Sequence, residues 1–290
     1  MSSGADAKVS IEYDASPDAL FHPEKRPTMF VGRPDATLPG LAVEAARLAY
    51  LPAESDPAES RRLAHALRLA GFAAPTHFVD RATGAYGYGS LRAADGLALL
   101  AFRGRQPDDP KDLMADLALL PTPWAGGQVH SRFARAAVSL EAPLLHWLSS
   151  AASHRRRLLL CGHSLGAALA TLFAGLVEPS DVITIGSPRV GDIDFIDSLP
   201  ARAMTRIVNC ADVVPTLPPG ITAYHHVGKL LYIDKDGALH DNPETPFVLK
   251  DRLTGQAGHA ARVLAQPREQ TLPARALADH APINYLRAFF

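Results

Sequence analysis

Cysteine is nearly absent, with two residues in a chain of 290. Two thiols cannot build a disulfide framework. Cys161 and Cys210 each end an apolar run, which marks them as buried thiols rather than reactive or ligating ones. An excess of one charge is also missing: 29 Lys+Arg stand against 30 Asp+Glu, a formal net charge of -1. Nothing in that balance suggests a polybasic nucleic-acid surface or membrane anchor. No apolar run is long enough to span a bilayer. The opening Met-Ser-Ser-Gly-Ala-Asp-Ala-Lys lacks a charged region followed by an apolar one, so the default expectation is the cytoplasm, with signal-independent export left open. No internal repeat or convincing linker divides the chain.

What is present is an ordinary globular composition, 47% hydrophobic and 20% charged. Residues 1–37, rich in Pro, Asp, Ala and Ser, are expected to form an irregular arm, and 38–290 a single domain. Apolar spacing predicts helices over 41–51 and 59–70. Residues 76–80 and 85–89, separated by Thr-Gly, read as a hairpin, and 97–102 as a fully buried strand. Residues 127–148 read as mostly helical, kinked or restarted at Pro143, and Arg155 to Arg157 as a solvated helix end. Strands are expected over 181–186 and 204–210, and a hairpin over 228–240 around Asp234-Lys235-Asp236-Gly237. Residues 241–278 read as irregular. Strands alternating with helices predict an α/β fold: a mainly parallel central sheet covered on both faces.

The chain is organised around residues 157–177. Leu158 to Cys161 form a short apolar run, followed by Gly162-His163-Ser164-Leu165-Gly166. Leu165, Ala168, Leu169, Leu172, Phe173, Leu176 and Val177 then recur at helical steps until Pro179. Strand, G-x-S-x-G and helix in succession form the context of a nucleophile elbow. A sharp turn presents the Ser164 hydroxyl, the flanking glycines relieve clashes, and the Leu165 amide points from the helix N-terminus toward a developing oxyanion. The plainer alternative is a glycine-containing turn with an incidental serine.

A serine nucleophile needs a base, and the base an acid, in the chain order Ser, acid, His. Asp212 lies just past a strand end before Pro215; Asp192 and Asp194 are rivals on position alone. Five histidines follow Asp212, namely His225, His226, His240, His259 and His280, and order does not choose among them.

Several stretches between Phe102 and Tyr285 together resemble the class 3 lipases, a family of fungal triacylglycerol lipases and feruloyl esterases that includes plant phospholipases A1. They are Phe102-Arg103-Gly104, Val129-His130, the G-x-S-x-G turn, Gly186-Ser187-Pro188-Arg189-Val190-Gly191, the Asp212-Val213-Val214-Pro215 region through Pro219, and Asp279-His280 with Tyr285. The resemblance implies an α/β-hydrolase fold and a catalytic set of Ser164, Asp212 and His280, with His226 a non-catalytic histidine near lipid-facing loops. It implies serine ester hydrolysis of lipid esters through an acyl-enzyme, without cofactor, metal or nucleic-acid partner, and with transient contact to a lipid interface. A short-chain or aromatic-acid esterase and a phospholipase A1 are the alternatives within catalysis.

The resemblance also places the second oxyanion donor after Gly104, where the family has Thr or Ser and this chain has Arg105. The backbone N–H remains, but the hydroxyl is lost. Ala167, where many members carry glycine, is a second departure. A flap over 107–124 is expected from the acids mixed with Leu113, Met114, Leu117 and Trp124; an ordinary surface helix is the alternative. Two rivals of other kinds remain. One is a non-catalytic lipid- or partner-binding fold; the other is a metal site at His225, His226, His240 and Asp241, disfavoured because adjacent strand residues face opposite ways.

Overall fold

The computed structural model describes residues 11–31, 36–104, 120–219, 223–265 and 271–290. Ten strands are described: β1 (Thr76–Asp80), β2 (Ala85–Arg92), β3 (Leu97–Phe102), β4 (Pro121–Trp124), β5 (Gly127–His130), β6 (Arg157–His163), β7 (Asp181–Ile185), β8 (Met204–Asn209), β9 (Lys229–Ile233) and β10 (Leu239–Asp241). Eight of them form one sheet in the order β1-β2-β3-β6-β7-β8-β9-β10, while β4 and β5 pair as a separate hairpin. The five central strands, β3 to β9 in that order, run parallel. Antiparallel pairs close both edges. The parallel centre follows from its composition: β3 is buried along its whole length and β6 from Leu158 onward, as strands covered on both faces must be.

The helices are α1 (Pro17–Phe21), α2 (Leu38–Leu48), α3 (Pro57–Leu69), α4 (Ser131–Ser149), α5 (Leu165–Ala174), α6 (Ile193–Ser198), α7 (Thr245–Ala265), α8 (Arg275–Ala278) and α9 (Pro282–Leu286). One face of the sheet packs against α1, α2 and α9, with Leu159, Cys161 and Ile183 pointing into that core. The other packs against α4, α5 and α6, with Leu158, Leu160 and Val182. The carboxyl ends of β6, β7 and β8 therefore meet at one edge, and each continues directly into a loop of the candidate site.

Four expectations are corrected. The segment 1–37 is not wholly irregular: within its described part, α1 is capped by Ser16 and opened by Pro17, and Ala19, Leu20 and Phe30 enter the core. The clamp that seats it is a fully buried ion pair on α2. The Arg47 guanidinium donates to Glu44 and to the carbonyls of Pro23, Arg26 and Pro27, while Glu44 accepts from the Thr28 hydroxyl and the Met29 amide. Residues 127–130 are a strand rather than helix, because they pair with 121–124. Helix α4 then runs through Pro143 without breaking. Residues 245–265, expected to be irregular, form the 21-residue α7.

Both cysteines are fully buried. Burial pushes the Cys210 thiol up to about 12 and holds Cys161 well above its ordinary value, so neither is a thiolate near neutrality.

Candidate active site

Ser164 begins α5 directly after β6, with φ 58 and ψ -124. Left-handed backbone at a residue with a side chain is strained, and here neighbouring packing enforces it. A Cβ on Gly162 would lie 2.1 Å from the Gly166 carbonyl oxygen, and one on Gly166 would lie 2.2 Å from that of Phe102. Only glycine fits either position. The Ser164 amide is tied to the Ile185 carbonyl at 2.9 Å, locking the turn to β7.

His280 Nε2 stands 3.0 Å from Ser164 Oγ, and its Nδ1 stands 2.9 and 3.0 Å from the two Asp212 oxygens. Because a carboxylate can only accept, Nδ1 carries the proton and Nε2 is left bare to accept from the serine hydroxyl. All three residues are buried. Asp212 also accepts from the Val214 amide at 2.9 Å and from the Tyr285 hydroxyl at 2.5 Å. The Tyr285 oxygen in turn receives the Asn209 amide. With three donors around its charge, Asp212 is oriented from every side. Asp192 serves instead as the side-chain cap of α6, and Asp194 lies in its first turn.

The other four histidines go elsewhere. His226 donates Nε2–H to the Pro215 carbonyl at 2.8 Å, bracing the loop that follows Asp212. Burial, and next the charge of Arg206, lower its pKa to about 3, so it stays neutral. His240 pairs with Asp234, Asp241 with Lys229, and His259 donates to the Leu272 carbonyl. His225 is exposed and joins the Gly191 strand segment through its backbone. The proposed metal ligands are thus engaged separately.

One part of the site has no sequence motif. His163 Nε2–H donates to the His280 backbone carbonyl at 2.9 Å, which leaves Nδ1 to accept from the Tyr50 hydroxyl at 2.7 Å. The Tyr50 oxygen receives the Gly104 amide. A buried chain of hydrogen bonds thus joins the loop after β3 to the histidine loop. Burial, then the neighbouring His280, hold His163 well below the ordinary histidine range and keep it neutral.

Of the expected oxyanion donors, the Leu165 amide opens α5, where N–H groups have no intrahelical acceptor. Gly104 brings its loop against the serine: a Cβ there would lie 3.1 Å from Ser164 Cβ. Arg103 steadies the approach through Glu54 at 2.8 Å and by lying over the Tyr86 ring. Arg105, Leu113, Met114 and Leu117 fall outside the described residues. Trp124 ends β4 and packs on the core cluster whose rim also includes Leu165.

Residues 99–221 match the family described as lipase (class 3). Among curated relatives, phospholipase A1-II 1 of Oryza sativa subsp. indica is 41% identical over 114 residues, covering 34% of this chain and 28% of the rice protein. A lipase of Rhizomucor miehei is 30% identical over 172 residues, covering 53% and 45%. The matched stretches thus span less than half of either relative. Among solved structures, the Rhizomucor miehei lipase–propeptide complex superposes with a TM-score of 0.54 at 22% identity, over 67% of this chain and 66% of that one. The lipase of Rhizopus microsporus var. chinensis gives 0.54 at 23%, over 67% and 71%. The fold is the α/β-hydrolase fold.

Proposed function

We propose, from the match of residues 99–221 to the family described as lipase (class 3), that the chain is a serine carboxylic-ester hydrolase acting on lipid esters. The observation that carries this reading is the continuous Ser164–His280–Asp212 hydrogen-bond chain behind a strained elbow.

His280 Nε2 accepts the proton of Ser164 as Oγ attacks the ester carbonyl. Asp212 faces the imidazolium that results and keeps its Nδ1–H in place. The Leu165 amide at the N-terminus of α5 stabilises the oxyanion, and the resemblance assigns the second donor to the backbone amide of Arg105. His280 then gives its proton to the leaving alcohol, and an acyl-serine remains. Water, deprotonated by the same nitrogen, attacks the acyl carbonyl and releases the carboxylic acid. Losing a hydroxyl donor at 105 costs up to about 10²-fold in rate, without changing the reaction class.

Hydrolysis of p-nitrophenyl esters from acetate to palmitate, in solution and at an emulsified interface, tests the reading with Ser164→Ala as control. We expect turnover that falls by at least about 10⁴-fold in the variant, with preference for the longer chains. Absence of turnover on every ester would overturn it and favour a binding role. Transient contact with a lipid surface belongs to the same proposal. The rice relative supports a second reading, a phospholipase A1-type preference, which comparison of phosphatidylcholine with triacylglycerol as substrates separates.

A further inference from the structure

Helix α7 is inside out. Its inward face is polar or small: Asp251 accepts from the Tyr232 hydroxyl and the Lys235 amide, both at 2.9 Å, and His259 donates to the Leu272 carbonyl at 2.9 Å. Gly255, between them, lies so close to the body that a Cβ would sit 2.9 Å from Cys210 Sγ. These three positions, four residues apart, are the buried ones. The face turned to water carries Leu249, Leu253 and Leu264, exposed by 56%, 67% and 81%, with Ala257 and Ala260 between them at helical spacing. A surface helix ordinarily does the reverse.

Charge narrows the occupant. Between Thr245 and Ala265 the charged side chains are Lys250, Asp251, Arg252 and Arg262, and the single acid is the buried one. On the outer surface the apolar stripe is therefore flanked by the exposed Lys250 and Arg262, while Arg252 turns to the body and one exposed acid, Glu244, precedes the helix. That combination suits an anionic lipid surface: leucines enter the acyl boundary while ammonium and guanidinium groups meet phosphate. The helix is also tied to the site, since Arg252 reaches the backbone carbonyls of Ala211 and Asp212 at 3.4 and 3.2 Å.

We propose that the outward face of α7, centred on Leu249, Leu253 and Leu264, docks the protein onto anionic lipid surfaces. The proposal rests on the reading of the chain as a lipid-ester hydrolase, which gives such a surface its purpose. Its test does not require turnover.

The experiment is co-sedimentation of the Ser164→Ala protein with vesicles of phosphatidylcholine, alone or mixed with phosphatidylserine. Binding is expected on the mixed vesicles and is expected to weaken as salt is raised. Leu249→Gln, Leu253→Gln and Leu264→Gln together should lower the partition coefficient by about tenfold or more. The same three changes in the otherwise native chain should leave p-nitrophenyl acetate hydrolysis and the melting temperature unchanged, because the leucines are exposed. Equal binding by the triple variant, or no binding by the parent, overturns the proposal. So does self-association by light scattering that the triple variant abolishes without vesicle binding; the occupant is then a second copy. Vesicle binding by a chain that hydrolyses no ester would sink the functional reading alone.

Discussion

Around Asp212, three hydrogen bonds converge on one carboxylate, and the shortest comes from Tyr285. The hydroxyl serves the charged form of the acid, so removing it weakens the group that supports the His280 cation. A hydrogen bond to a charged group contributes about 1.5–3 kcal/mol. Tyr285→Phe keeps the ring and its packing, and we expect kcat to fall about ten- to a hundredfold with KM little changed. Steady-state kinetics on a soluble ester checks this; an unchanged kcat would mean that the Val214 amide suffices. His280 is singled out among five histidines only by the resemblance, while Ser164 and Asp212 were readable from the chain through the turn and the strand end. Tyr50 and His163 were not. Their hydrogen bond joins residues 113 apart, and a tyrosine at a helix end before Pro52 carries no local signal of its partner.

Helices show where periodicity succeeds and where it misleads. Helix α5 and strands β3 and β6 are legible because their apolar residues face the core. Helix α7 reverses that sign and contains Pro246, Gly255 and Gly258, so both composition and spacing argue against it; polar anchors on its inner face hold it instead. Helix α4 misled in another way. Pro143 removes one backbone donor and crowds the preceding turn, yet the apolar face from Phe133 to Leu148 packs on the sheet and keeps the helix continuous. The pyrrolidine itself is exposed. Pro143→Ala should therefore raise stability by about 1–2 kcal/mol, the restored helical bond outweighing the freer unfolded chain. The urea midpoint would move up at constant m-value; a lower midpoint would show that the ring contributes to packing.

For the whole molecule, two histidines held neutral set a dependence on acid. His163 and His226 both have folded-state pKa values below the ordinary 6.5, through burial first. Below that pH the unfolded chain takes up protons that the folded chain refuses, so stability is full above about 6.5 and falls as pH decreases. Each histidine contributes up to about 1.4 kcal/mol per pH unit, and for His226 the fall continues to about 3. Urea unfolding at pH 5 and pH 7 measures the slope. His226→Gln should reduce it by one proton's worth; an unchanged slope would mean that His226 is already protonated in the folded chain.

The segment before α1 reaches across to the loop that carries His280. The Tyr13 hydroxyl donates to Asp279, while Asp14 and Asn284 exchange hydrogen bonds through backbone and side chain. These contacts join residues 266 and 270 positions apart. Such a pairing closes the longest loop that a polar contact spans among the described residues, and its entropy cost must be met before any contact returns free energy. The elbow around Ser164 draws its contacts from β3, β6, β7 and α5, whereas the loop that carries His280 is also held by a segment 270 positions away. During synthesis the serine is thus made 116 residues before its proposed base. Until His280 follows, nothing stands ready to take the proton of Ser164, and the nucleophile is idle.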